Sequence, residues 1–243
     1  MGKFIVNLTW EDAPHLSKED KEVMLAGYLP HERDARSKGV PQLGSGAIYP
    51  VMQSDITESP FRIPDHWPRA YGLDVGWNRT AGPFGAKNPD DGVIHIYSEH
   101  YAAEEKPVVH VAAIKARGPW IPGVVDPASR GRSQIDGQQL LDMYRSLGLN
   151  LHPADNSVET GIYEVWTLFT SGMLKVFSNC TNLLAELAKY RRDEKGRVVK
   201  KDDHLMDSLR YLIKSGRDRM IPCPMPKRPV GSGHSGGDRG WMA

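Results

Sequence analysis

Two aspartates follow short apolar runs, where a carboxylate is costly to bury without a partner. Asp74 follows the run YGL, and Asp126 follows the run GVV. Both runs have the composition of buried strands, so we expect the two carboxylates at strand ends beside the core. A bound Mg²⁺ or Mn²⁺ would offset the cost of burial, because these cations bind carboxylate oxygens, water and phosphates. For either residue alone, the alternative is an aspartate that caps the following turn or helix.

A third acidic group lies in the segment KKDDHLMDSLRY, residues 200–211. On a helix, Asp203 and His204 lie one turn before Asp207, so the three side chains project from neighbouring positions. Like charges one turn apart repel, which favours a nearby metal ion or cationic partner. The alternatives are that one of the two adjacent aspartates caps the helix and that Asp207 pairs with Arg210.

Two acids at strand ends, followed far downstream by an acid on a helix, form the layout of a two-metal nuclease. In such a site two ions about 4 Å apart activate a water and stabilise the leaving 3′ oxygen, so no nucleophilic side chain is needed. The sequence contains no H-E-x-x-H pair, and its matches to G-x-S-x-G (233–237) and G-x-G-x-x-G (231–236) fall in the Gly/Ser-rich tail rather than between a strand and a helix. These patterns need a strand-turn-helix context, so the sequence argues against the common hydrolase and dinucleotide-binding alternatives.

The elements that must position these acids begin near residue 69 and alternate along the chain. We predict strands at residues 70–75, 92–100, 122–126, 149–152 and 173–177, and helices at 108–116, 135–147, 158–169, 183–190 and 203–215. The first two strands are expected to form a hairpin. The pattern indicates an α/β domain with a mixed sheet, in which sites form at the carboxyl ends of parallel strands.

The chain on either side of this domain has a different composition. Before it we predict a strand at 4–10, helices at 17–28 and 30–38, a glycine-rich turn at 39–46, a strand at 47–51 and a proline-punctuated linker at 59–68. A domain boundary is placed near His66. Residues 217–243 are basic and rich in Pro and Gly, which indicates a flexible tail.

Bulk composition allows one substantial core and gives little information about function. The 243 residues carry a net charge of +1 and are 40% hydrophobic, without an apolar run of membrane-spanning length. The N-terminus does not resemble a signal peptide, so we expect a cytoplasmic protein. Cys180 and Cys223 are expected to be free thiols.

A few cationic and aromatic residues could contact nucleic acid. The cationic candidates for contacts with DNA phosphates are Arg130, Arg132, Lys200 and Lys201. The alternative is that they are ordinary solvated surface charges. Trp77 and Trp166 are interpreted as packing residues.

Several motifs resemble successive landmarks of bacteriophage large terminase subunits over residues 4–215. They are TWEDAPHL at 9–16, GVP and GSG within 39–46, GLDVGW at 72–77, VDP at 125–127 and DHLMDSLRY at 203–211. The resemblance implies that residues 1–66 are a linker and the end of the packaging ATPase, and that residues 67–216 are an RNase H-like, RuvC-like nuclease domain. The implied fold is a mixed sheet flanked by helices, with a small N-terminal linker subdomain.

The resemblance also implies an activity and its residues. The domain would cut concatemeric viral double-stranded DNA in the host cytoplasm, with Asp74, Asp126 and Asp207 as catalytic ligands of two Mg²⁺ or Mn²⁺ ions and His204 or Asp203 as an accessory ligand. Portal and small terminase subunits are the implied partners, and the isolated domain is expected to be a monomer. No G-x-x-x-x-G-K-[ST] motif is present, so the chain cannot hydrolyse ATP by the P-loop route.

Two other functions remain open from the residues. A Holliday-junction resolvase or another RNase H-like nuclease would share the acids and act on branched DNA or RNA hybrids. A non-catalytic packaging module would use the acids structurally and dock a portal or small subunit. Metal binding discriminates between the catalytic and non-catalytic alternatives.

Overall fold

The structure, a computed structural model, describes residues 10, 13, 15–27, 37, 46–126, 134–193 and 195–225, with 134–139 described by their backbone alone. A seven-stranded mixed sheet forms the centre, in the order β1-β7-β4-β3-β2-β5-β6. Its strands are β1 (Thr57–Glu58), β2 (Arg69–Leu73), β3 (Thr80–Lys87), β4 (Ile94–Ala102), β5 (Gly123–Val125), β6 (Leu151–Pro153) and β7 (Leu174–Phe177). The predicted mixed α/β sheet is confirmed.

Helices connect the strands and cover the sheet. They are α1 (Lys18–Ala26), α2 (Gln53–Ile56), α3 (Pro107–Lys115), α4 (Gln134–Ser146), α5 (Val158–Thr170), α6 (Thr181–Lys189) and α7 (His204–Tyr211), and α7 continues into a π-helical turn at Leu212–Gly216. Each helix predicted from residue 108 onward is present. In the part of the chain that the structure describes, no helix is long and apolar enough to cross a membrane.

The predicted hairpin between the first two strands is wrong, because β3 lies between them. Strand β2 pairs antiparallel with β3, and β3 pairs antiparallel with β4. The sequence of β3, TAGPFGAK, contains glycines and a proline, which are typical of the turn of a hairpin rather than of a strand. Tight packing requires these small residues: a Cβ on Gly82 would lie 2.5 Å from the carbonyl oxygen of Gly72, and one on Gly85 would lie 3.0 Å from the Leu212 side chain.

Helix α7 packs directly across the centre of the sheet. Its apolar face buries Leu205 and Leu209, and Leu212 is buried just beyond the helix. The backbone of α7 approaches β2 so closely that a Cβ on Gly72 would lie 1.9 Å from the carbonyl oxygen of Ser208. Glycine at position 72 therefore sets the distance between this helix and the strand that ends at Asp74.

The region before residue 69 contributes to the same core. The predicted strand at 47–51 is wrong, since Ala47 makes only an isolated bridge to Arg191 and the next element is the short helix α2. Strand β1 pairs parallel with β7 at the sheet edge. The boundary near His66 stays a prediction, although Ile63 on its N-terminal side is buried in the main core.

Other predictions for the flanking regions have mixed outcomes. The helix predicted at 17–28 is confirmed as α1, which begins after a capping box made by Ser17 and Asp20. The elements predicted at 4–10, 30–38 and 39–46 fall mainly on residues outside those described, as do residues 226–243 of the tail. Cys180 and Cys223 are free thiols.

Candidate functional site

Asp74 and Asp126 come from neighbouring parallel strands and leave the sheet at the same edge. Leu73 of β2 is the register partner of Val125 of β5, and each aspartate is the next residue in its chain. Both side chains are buried, Asp126 with only 2% exposure. The sequence prediction of two strand-end acids beside the core is therefore correct in position.

Helix α7 brings the third acidic group to this edge. Asp74, Asp126, Asp203, His204 and Asp207 all line one open cleft. Since α7 packs on β2, β3 and β5, the three aspartates predicted as ligands converge on one cleft from three separate parts of the chain.

A direct contact joins α7 to β2. The Nδ1 atom of His204 lies 2.9 Å from Oδ2 of Asp74. His204 is the first residue of α7, and its side chain is about one third exposed, at 31%. The imidazole therefore orients the Asp74 carboxylate and remains accessible from the cleft.

Asp207 is held from both sides. Its Oδ1 accepts a hydrogen bond of 2.9 Å from Nη2 of Arg210, and its Oδ2 accepts one of 2.7 Å from Nζ of Lys200. Arg210 is 1% exposed, and Gly161 of α5 leaves room for it, because a Cβ there would lie 2.3 Å from its Cγ. The sequence alternative in which Asp207 pairs with Arg210 is correct, and the pair fixes the carboxylate toward the cleft.

Lys200 also bridges to Asp203, with 3.2 Å between Nζ and Oδ2. Burial and the neighbouring Asp207 raise the pKa of Asp203, while Lys200 opposes the shift. Burial opposes the charge on Lys200, but Asp207 and Asp203 outweigh it and raise the pKa of the ammonium group. The Lys200 ammonium group thus bridges two carboxylates, that of Asp203 at the N-cap of α7 and that of Asp207 within the helix.

The remaining predicted cations have different outcomes. Lys200 and Lys201 line the cleft. Arg130 and Arg132 lie outside the described residues. The sequence interpretation missed Arg79 and Asn78, which follow the strand-end acid Asp74 and form part of the cleft wall.

The two tryptophans are more exposed than predicted. Trp77 lines the cleft with 68% of its surface exposed, so the packing interpretation is wrong. Trp166 is 37% exposed beside Tyr163 on the outer face of α5, while Ile162, Val165 and Phe169 face the core. Helical spacing alone did not distinguish the edge of the apolar face from its centre.

The donor set suits a hard divalent cation. Carboxylate oxygens dominate the cleft, with one imidazole, and this combination suits Mg²⁺ or Mn²⁺ better than a soft metal. Within the described residues, no three His, Cys, Asp or Glu side chains are already grouped as a metal cage. The ion pair between Lys200 and Asp207 must open before that carboxylate can use Oδ2 as a ligand.

Comparison with known proteins identifies a family for this domain. A family model described as the terminase RNaseH-like domain matches residues 72–215. The large terminase subunit of Salmonella phage P22 is 31% identical over 249 aligned positions, which cover 94% of this chain and 50% of that protein. The chain thus spans about half the length of this relative.

Solved structures show the same fold. The structure of the P22 large terminase nuclease domain matches with a TM-score of 0.68 and 29% identity, covering 74% of this chain and 96% of that one. The large terminase nuclease of the thermophilic phage G20c, crystallised with bound magnesium, matches with a TM-score of 0.51 and 19% identity, covering 71% and 99%. The second similarity concerns the fold alone.

Proposed function

Because the chain belongs to the family of terminase RNase H-like domains, we propose that it is a divalent-metal-dependent endonuclease that cuts concatemeric viral double-stranded DNA during genome packaging. The observation that carries the proposal is the cleft in which strand-end Asp74 and Asp126 meet helix-borne Asp207. The P22 relative is a large terminase subunit, and the G20c nuclease was crystallised with magnesium. Both support this assignment.

In this proposal Asp74, Asp126 and Asp207 hold two ions, with His204 and Asp203 as accessory groups. When bound, the divalent ions supply Lewis-acid activation of a water and of the scissile phosphate. The chain contributes orientation: His204 holds one carboxylate through Nδ1, and Arg210 holds another through Nη2. Lys200 and Lys201 then lie where they can neutralise DNA phosphates.

The cellular setting is part of the same proposal. Cutting would take place in the host cytoplasm during virion assembly, with portal and small terminase subunits as partners of the full-length protein. The domain by itself would be a monomer. Arg130 and Arg132 are proposed as further phosphate contacts.

A plasmid-cleavage assay tests the function. Supercoiled plasmid is incubated with the chain in Mg²⁺, in Mn²⁺ or in EDTA, beside an Asp74→Asn, Asp126→Asn double variant. Nicking or linearisation only with metal and only by the unmodified chain is expected. Full activity in EDTA, or neither cleavage nor metal binding at millimolar metal, would exclude the proposal, and the second result would favour a non-catalytic docking module. A strong preference for a four-way junction over linear duplex would favour the resolvase alternative.

A further inference from the structure

Helix α6 carries a buried carboxylate that lies behind the cleft rather than in it. Glu186 is 3% exposed. Its Oε2 accepts a hydrogen bond of 2.6 Å from the backbone N–H of Leu205, and its Oε1 accepts one of 2.8 Å from the Tyr101 hydroxyl. Burial raises the pKa of Glu186, and these hydrogen bonds oppose the shift. A buried acid with two fixed partners indicates a specific task, because the burial of a carboxylate is otherwise costly.

That task concerns the first turn of α7. The first N–H groups of a helix need acceptors from outside it. Asp203 occupies the N-cap position, yet its side chain makes no capping hydrogen bond and pairs with Lys200 instead. Glu186 supplies the missing acceptor from a different helix. A carboxylate at this end also interacts favourably with the helix dipole.

The same turn carries two of the groups assigned to the cleft. Leu205 directly follows His204 and lies two residues before Asp207. If this turn frayed, the contact of His204 with Asp74 and the direction of the Asp207 carboxylate would both change. Ligand groups of this kind lose function when their supporting hydrogen bonds are left unmade.

We propose that Glu186 is a positioning residue of the candidate nuclease site, which anchors the N-terminus of α7 so that His204 and Asp207 face the strand-end acids. The inference rests on the proposed function. Tyr101 holds Glu186 in place, and Arg79 packs with its guanidinium carbon 4.4 Å from the centre of the Tyr101 ring. Because Arg79 lines the cleft, this set of contacts links the cleft wall to the anchor.

The test compares Glu186→Ala with Glu186→Gln in the full 243-residue chain. Three quantities are measured for each variant. Calorimetry gives the Mg²⁺ affinity, a plasmid-nicking assay at saturating metal gives the maximal rate, and circular dichroism gives the thermal unfolding midpoint. We expect Glu186→Ala to lower metal affinity and rate by about 10-fold each. Glu186→Gln should stay within about 3-fold of the unmodified chain, since its amide oxygen can still accept the Leu205 N–H in a weaker, neutral hydrogen bond.

A core variant separates positioning from stability. Phe177→Leu alters a buried residue of β7 outside the cleft. It should lower the thermal unfolding midpoint about as much as Glu186→Ala does, while its Mg²⁺ affinity and nicking rate stay unchanged. Unchanged affinity and rate in Glu186→Ala, no rescue by Glu186→Gln, or an equal loss in Phe177→Leu would overturn the inference. If Glu186→Ala does not fold, Tyr101→Phe decides: a smaller loss of Mg²⁺ affinity supports the inference, and an unchanged affinity overturns it. If the unmodified chain binds Mg²⁺ but does not cut DNA, the proposed function fails while the affinities still test the anchor.

Discussion

The Nδ1 atom of His204 lies 2.9 Å from Oδ2 of Asp74, although 130 residues separate them in the chain. The contact ties the start of α7 to the end of the central strand β2. The position of the Asp74 carboxylate, a predicted metal ligand, therefore depends on His204, which belongs to the acidic group at the start of α7.

Asp74→Asn should abolish DNA cleavage and leave the fold intact. The amide oxygen can still accept a hydrogen bond from His204, so the unfolding free energy should change by no more than about 1 kcal/mol. The lost negative charge removes a hard ligand and also one member of a repelling acidic group. Plasmid nicking and urea unfolding measure the two effects. Cleavage near the unmodified rate would show that Asp74 is not a ligand.

Asp207 should be indispensable, and His204 should be an accessory group. Asp207 lies one turn inside α7 and is clamped by Arg210, whereas His204 begins the helix. A neutral imidazole is a poor ligand for Mg²⁺ and a better one for Mn²⁺. We expect Asp207→Ala to be inactive with either metal, and His204→Ala to lose about 10-fold, with a larger loss in Mn²⁺. Parallel nicking assays at matched metal concentrations decide, and an active Asp207→Ala chain would show that the third ligand lies elsewhere.

Lys200→Ala should increase metal affinity while weakening DNA binding. The Lys200 ammonium occupies Oδ2 of Asp207, so a metal ion must displace it. An ion pair with a half-exposed lysine contributes up to about 1 kcal/mol, which corresponds to a gain of about 2- to 5-fold in Mg²⁺ affinity. Lys201→Ala is the matched control, because Lys201 lines the same cleft and makes no ion pair with the carboxylates that the structure describes. Equal metal affinities in the two variants would contradict the prediction.

Trp77 and Arg79 should contribute to DNA binding through different physical effects. An exposed indole at the cleft can pack on bases or sugars, and Trp77→Ala should weaken binding by about 5- to 10-fold at every salt concentration. Arg79→Ala should reduce the slope of log affinity against log salt by about 1, since one phosphate contact is lost. Fluorescence anisotropy over a salt series measures both. An unchanged affinity in Trp77→Ala would show that the indole lies away from the DNA path.

Local sequence pattern predicted the parts of the site that depend on local structure. Asp74 and Asp126 were placed correctly because each ends a continuous apolar strand, and α7 was placed correctly because Leu205 and Leu209 have helical spacing. Their convergence followed from the parallel register of β2 and β5. The strand ends and the helix need only neighbouring residues in the chain, whereas this register pairs segments that are distant in the sequence.

Features that depend on contacts between distant elements could not be predicted. Strand β3 could not be recognised in the sequence, because its glycines also predict a turn. They are glycines because other elements pack closely against them. In the sequence, Glu186 is one acid among others in an amphipathic helix. Its role follows only from the hydrogen bond that the Leu205 N–H donates to it in the folded structure. Likewise, nothing local to Gly161 indicates that it makes room for Arg210. In each case a tertiary contact determines the role of the residue.

A buried pair of histidines outside the cleft provides a basis for pH-dependent stability. The Nε2 atom of His100 lies 2.9 Å from Nδ1 of His110, and both side chains are buried. Burial, His110 and Arg117 lower the pKa of His100 to about 4. Burial also lowers the pKa of His110, although Glu105 opposes the shift. One ring can donate to the other only while at least one of the two rings is neutral, and burial disfavours the charge of a protonated ring.

The protein should therefore lose stability as the pH falls from about 6.5 toward 4. A histidine whose pKa is lowered by folding binds its proton more readily in the unfolded chain, so its stabilising contribution is complete above the unfolded pKa and declines below it. For His100 the full loss is roughly 3 kcal/mol. Urea unfolding at about pH 7 and about pH 5 measures this dependence. His100→Gln should flatten it, because the amide can hydrogen-bond to His110 without titrating, whereas the exposed-site control His66→Gln should retain it. An equally steep dependence in His100→Gln would assign the acid sensitivity to other groups.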